Sequence, residues 1–132
     1  MKLILHERFL ALYSQIGLID AEDDESYPQW DTGKEQVAFG QKGVAVAALG
    51  DTKVEVTVYE GNGSPGGTLC SSGTILVGQQ GLIVGNEIAA DTAVFDWPPG
   101  RTTVTIYVDV LPQPKRIDFV LQSLSSAGDR PS

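Results

Sequence analysis

Histidine and cysteine are nearly missing from this 132-residue chain, which has one of each, His6 and Cys70. A lone cysteine cannot close an internal disulfide and fits a reducing compartment. With no histidine or basic residue beside it in sequence, Cys70 is expected to be a small buried hydrophobe. A lone histidine excludes a histidine-rich metal site and would rest any catalytic triad on an N-terminal strand residue; a half-buried strand position is the expectation for His6. No run approaches the roughly 18 apolar residues of a membrane span. The apolar stretch Leu3-Ile4-Leu5 ends in His6-Glu7-Arg8, too soon for the core of a signal peptide, so cytoplasm is the expected compartment. Bases are scarce too: nine Lys and Arg face 17 Asp and Glu, for a net charge of −8. That field repels nucleic acid and anionic membrane and attracts cations or basic protein surfaces.

What the chain does have is period-two alternation. Lys53 to Glu60 puts Val54, Val56 and Val58 on one face and Lys53, Glu55, Thr57 and Tyr59 on the other, the pattern of a strand with one wet side. Thr102 to Val110 repeats it, with Val104, Ile106, Val108 and Val110 inward. Ile117, Phe119 and Leu121 do so again, opposite Arg116, Asp118 and Gln122. Shorter segments bounded by glycine or turn residues, Gly43 to Leu49, Gly73 to Val77, Gly81 to Val84 and Ile88 to Phe95, are further strands, and Phe9 to Ile19, alone or with Leu3 to His6, supplies the opening strand or pair. Only Thr32 to Ala38 offers a helical turn. Gly61 to Gly67 is expected to be a flexible loop; it lacks the Gly-Lys-Ser/Thr ending of a phosphate loop, so no nucleotide cofactor is implied. About eight strands with frequent turn signals specify an all-β fold, a mainly antiparallel β-sandwich rather than a closed barrel. Residues 1–122 form its single domain, large enough for a core without staples, with Trp97 closing one end and 123–132 as a solvated tail.

The densest chemistry is Asp20-Ala21-Glu22-Asp23-Asp24-Glu25. Residues 1–35 hold eight acids against three bases, so the negative pole is N-terminal. The bland reading is a solvated loop. A Ca²⁺ site needs six to eight converging oxygens, and the run lacks the spaced D-x-D-x-D-G order; a Ca²⁺-dependent module for carbohydrate or lipid is the alternative that this leaves. The third reading is a docking face in which Asp20, Glu22, Asp23, Asp24 and Glu25 meet a basic protein, with Tyr27 and Trp30 as aromatic anchors. Asp31-Thr32-Gly33 matches the triplet of retroviral-type aspartic proteases, but Lys34 beside it would disturb the shared proton of a carboxylate dyad. No enzymatic activity, cofactor or resident metal is expected.

The order of these elements is similar to a known family. The opening strand, the acidic stretch with Trp30, the segment Gln36-Val37-Ala38-Phe39-Gly40-Gln41-Lys42-Gly43-Val44-Ala45-Val46, the strand Val54 to Tyr59, and Phe95 with Pro99-Gly100 before Val104 to Val108 resemble the competence-associated inhibitors of a DNA-entry nuclease. The likeness covers about residues 5–122 and rests on pattern rather than on an identical motif. It implies an acidic bacterial inhibitor or immunity-type protein whose partner is a nuclease or toxin. No functional residue carries over by identity, so the acids named above stand on the charge argument alone.

Overall fold

A computed structural model describes residues 1–22, 28, 36–86 and 88–124. The described chain forms ten strands: β1 (Lys2–Leu10), β2 (Gln15–Asp20), β3 (Val37–Phe39), β4 (Gly43–Ala47), β5 (Lys53–Glu60), β6 (Thr68–Val77), β7 (Leu82–Asn86), β8 (Asp91–Phe95), β9 (Gly100–Val108) and β10 (Arg116–Ser123). Alternation in β5, β9 and β10 has the predicted effect, burying every inward valine, isoleucine, phenylalanine and leucine from Val54 to Val58, Val104 to Val108 and Ile117 to Leu121.

The differences from the sequence reading lie mostly at strand ends. Among the described residues there are ten strands and not about eight, because the opening segment breaks into β1 and β2 at a 3-10 turn, Leu12–Ser14, where Tyr13 and Ser14 take positive φ, and because β3 is an added strand. Residues 37 and 38, assigned above to a helical turn, lie in β3, which is hydrogen-bonded to β4; residues 32–35 fall outside the described residues. β6 starts at Thr68 rather than at Gly73, β7 continues through Gly85 to Asn86, and β8 starts at Asp91, leaving Ile88 exposed. Val110 is exposed and not inward. β9 stops before it because the Asp109 carboxylate accepts the N–H groups of Val110, Lys115 and Arg116 at 2.9, 3.1 and 3.2 Å, closing a loop instead of extending the ladder.

Two five-stranded sheets result, in the orders β1-β5-β10-β9-β6 and β3-β4-β2-β7-β8. All pairings are antiparallel except β5 with β10. Ile16, Leu18, Val44, Val46, Leu82 and Val84 of the second sheet join Phe9, Val56, Ile106 and Phe119 of the first in one apolar cluster. Trp97 belongs to it, with its indole N–H donated to the Thr102 hydroxyl at 2.7 Å. Burial at this density supplies the main drive for folding, at about 25 cal/mol per Å² of apolar surface.

Candidate functional site

The acidic run leaves the second sheet at the end of β2, and its first two acids are engaged by backbone. Asp20 is 2% exposed. Its Oδ1 accepts the N–H of Glu22 and the N–H of Gly78, each at 3.2 Å. The Glu22 carboxylate accepts the N–H of Gln79 at 2.7 Å. Charge-assisted bonds to backbone N–H groups are among the stronger hydrogen bonds, so the two side chains fasten the end of β2 to the turn between β6 and β7. Of the seven residues expected to meet a partner, Asp20 is therefore a buried fastener and Glu22 is an exposed side chain tied to Gln79. Asp23, Asp24, Glu25, Tyr27 and Trp30 lie outside the described residues, as does the Asp31 triplet. Asp20, Glu22, Lys42, Leu76, Val77 and Gly78 line an open hollow at this end.

A second constellation lies on the face of the first sheet turned away from the core. β5 and β6 run parallel, three strand positions apart. Glu60 ends β5 opposite Leu121, which pairs with Val104, while Thr68 opens β6 opposite Val108. The connection must therefore cross about 14 Å of sheet and run back about 13 Å along the strands, a diagonal near 19 Å. Eight Cα steps reach about 28 Å at most, so residues 61–67 have little slack beyond what lifts them over the side chains. They form a strap and not a free loop. Asn62 and Gly63 sit beside Thr103, Thr105, Tyr107 and Val120, and Pro65 beside Thr57 and Asp118. Glycine is needed where the strap comes down, because a Cβ on Gly67 would stand 2.6 Å from the Val108 carbonyl oxygen.

Beside the strap, a groove of about 250 Å³ is lined by His6, Glu55, Thr57, Tyr59, Arg116 and Asp118, with Leu3 and Pro65 at its rim. His6 Nε2 meets the Glu55 carboxylate, and Arg116 pairs with Asp118 at 3.3 Å. His6 is exposed rather than half-buried, and Cys70 is half-buried rather than buried, with burial raising its thiol pKa. Alternation identified Glu55, Thr57, Arg116 and Asp118 as outward residues. Their meeting under a strap depends on β10 lying parallel to β5, which no local signal announces.

Asp118 is 2% exposed although it faces away from the core. Burial raises its pKa; the Arg116 charge and hydrogen bonds from Thr57 and Arg116 lower it by less, and the Glu55 charge adds to the rise. A carboxyl whose folded pKa exceeds its unfolded value of about 3.9 stabilises the fold below that value, and the contribution is lost as pH rises through the folded pKa. Asp118→Asn cannot ionise. Its Tm minus that of the wild type should therefore increase from pH 3.5 to pH 7 in parallel thermal melts. A difference that is flat or decreases over this range would show that the Arg116 pairing outweighs burial.

Among the described residues, no group of three or more His, Cys, Asp or Glu is placed to hold a metal ion, and no helix is long and apolar enough to cross a membrane. No protein-family model matches the sequence, and no curated protein matches it. Solved structures do. The fold is similar to that of ComJ from Bacillus subtilis, an inhibitor of the DNA degrading activity of NucA, with a TM-score of 0.74 and 13% identity over 92% of this chain and 97% of that one. It is also similar to the crocagin biosynthetic gene J product, with a TM-score of 0.58 and 10% identity over 89% of this chain and 94% of that one.

Proposed function

We propose that this chain is a non-enzymatic inhibitor or immunity-type protein, a β-sandwich of two packed sheets that binds a basic partner, a nuclease, and blocks it. The observation that carries this reading is the likeness to ComJ along nearly the whole of both chains. The charge distribution supports it independently. A nuclease keeps cationic groups to hold phosphate, and a carboxylate cluster can occupy that field without being cleaved. Asp20 and Glu22 tie the start of the acidic run to a turn between strands, which anchors it at a defined place on the second sheet. Glu22, Asp23, Asp24 and Glu25 then steer the encounter, and Tyr27 and Trp30 slow dissociation by burial against the partner.

The test uses a NucA-type DNA nuclease, a labelled duplex and stopped-flow association. Wild type should abolish DNA degradation at near-stoichiometric amounts. The triple variant Asp23→Asn, Asp24→Asn, Glu25→Gln spares the two fastening acids and should associate about tenfold more slowly or worse in dilute buffer, with a flatter salt dependence. A variant that associates as fast as wild type at low salt would rule out electrostatic docking through the run, and undiminished DNA degradation with wild type would remove the inhibitor reading.

A further inference from the structure

Among the described residues, four strands form the edges of the two sheets, and three of them are blunted. β1 carries Lys2, His6, Glu7 and Arg8 and shifts register between Leu3 and Leu5. β6 shifts register between Leu69 and Ser71, and its Leu76 N–H is already donated to the Gln41 carbonyl at 2.8 Å. β3 is three residues long. Charges, irregular register and shortness are the usual means by which a sheet edge avoids pairing with another chain. β8 is regular in register, longer than β3, and carries a single charge. Its five residues pair with β7 in unbroken register and, among the described residues, with no other strand. Its one charge, Asp91, is occupied in accepting the Leu10 N–H at 2.8 Å. Thr92, Ala93, Val94 and Phe95 are uncharged, Val94 is 62% exposed, and Ile88 just before the strand is 56% exposed.

We propose that β8 is a self-association edge, through which two copies of this chain pair antiparallel and continue the second sheet from one copy into the other. An unpaired strand edge presents alternating N–H and C=O groups that only another extended backbone satisfies in full. A two-fold axis between antiparallel strands must pass through a residue position, since it would otherwise exchange a hydrogen-bonded pair with a non-hydrogen-bonded one. Centring it on Ala93 engages all five residues. Ala93 then faces itself, Thr92 faces Val94, and Asp91 faces Phe95. The thread of charge is avoided throughout: Asp96 falls opposite Ala90, so no carboxylate meets another despite the net charge of −8. Thr92 and Val94 are both β-branched and suit a pleated surface, and like charges placed opposite each other would have been unfavourable. A second copy is the occupant that this register supports, because the same uncharged segment supplies both halves. The acidic run takes no part in it, so the pairing stands or falls separately from the proposed inhibition.

The experiment is sedimentation velocity on the full chain from about 10 µM to about 1 mM, the range in which an interface smaller than the standard protein–protein size is expected to associate. Wild type should pass from monomer to dimer over this range. Val94→Lys places a charge on an exposed edge position and brings its own copy within about 7–8 Å across the axis, and should raise the dimer Kd about tenfold or more. Val110→Lys, at an exposed apolar position off the edge, should leave it unchanged. Amide exchange gives a second readout, with the outward N–H groups of residues 91–95 becoming protected as concentration rises. Monomer at every concentration would overturn the proposal, and so would a dimer that Val94→Lys and Val110→Lys weaken equally.

Discussion

Replacing Asn86 with leucine is expected to destabilise the fold by about 3–5 kcal/mol. Asn86 ends β7 at 1% exposure. Its side-chain N–H₂ donates to the carbonyls of Leu12 at 2.7 Å and Gln15 at 2.9 Å, and its Oδ1 accepts the Ala89 N–H at 2.9 Å. One amide thus holds the turn between β1 and β2 against the turn between β7 and β8. Leucine has a similar branched shape, is larger, and makes none of these bonds, leaving two carbonyls and one N–H with reduced or no pairing in a site that must also fit the added bulk. Each such orphaned group costs about 1–3 kcal/mol, and the sum matches the upper range of measured single-site losses. For a chain of this size that is roughly 10–15 °C in Tm. A loss under about 1 kcal/mol in urea titration would mean that water takes over the three bonds and that the amide is not a clasp.

Gly85→Ala is expected to cost about 3 kcal/mol or more by a different route. Gly85 has φ of +129° in the middle of a ladder, opposite Gly17 on one side and Thr92 on the other. A Cβ there would stand 2.4 Å from the Asp91 carbonyl oxygen and 2.9 Å from both Phe9 Cδ1 and Thr92 Cα. Two of these atoms are backbone, so β8 itself would have to move, and with it the Asp91 carboxylate that holds β1 through Leu10. Positive φ alone costs a side-chain-bearing residue about 1–3 kcal/mol, and forced overlap adds about 1–3 more. Gly66→Ala is the comparison, since Gly66 also has positive φ, +98°, but a Cβ would meet nothing within 4 Å. Equal losses at the two positions would show that backbone strain alone is at work and that the close approach at Gly85 carries no energy.

Both residues lie where the sequence reading ended a strand too early. Gly81 to Val84 stops before Gly85 because glycine is an interior strand residue only where another backbone or a ring comes close, and here the neighbours are Asp91, Thr92 and Phe9 from other parts of the chain. Asn86 carries only part of its role locally: asparagine after a glycine announces a turn, which its bond from the Ala89 N–H makes, but the carbonyls of Leu12 and Gln15 become its neighbours only after β2 pairs with β7. Asp20 followed the same course. As a residue type in an acidic run it suggested a presented charge, and the approach of Gly78 made it a buried acceptor.

Composition and alternation were enough for the all-β class, the inward faces of β5, β9 and β10, the negative pole at the N-terminal third, and the scarcity of histidine and cysteine. Each follows from composition or from a period of two, properties that a chain has before it folds. Tertiary structure alone decided that β5 and β10 run parallel, that residues 61–67 become a strap over a buried Asp118, that Asp20 faces inward, and that β8 is an edge. Those outcomes depend on which strand lies beside which, and strand order is set by the packing of one shared apolar cluster and by the reach of the connections. Neither is written in any local pattern.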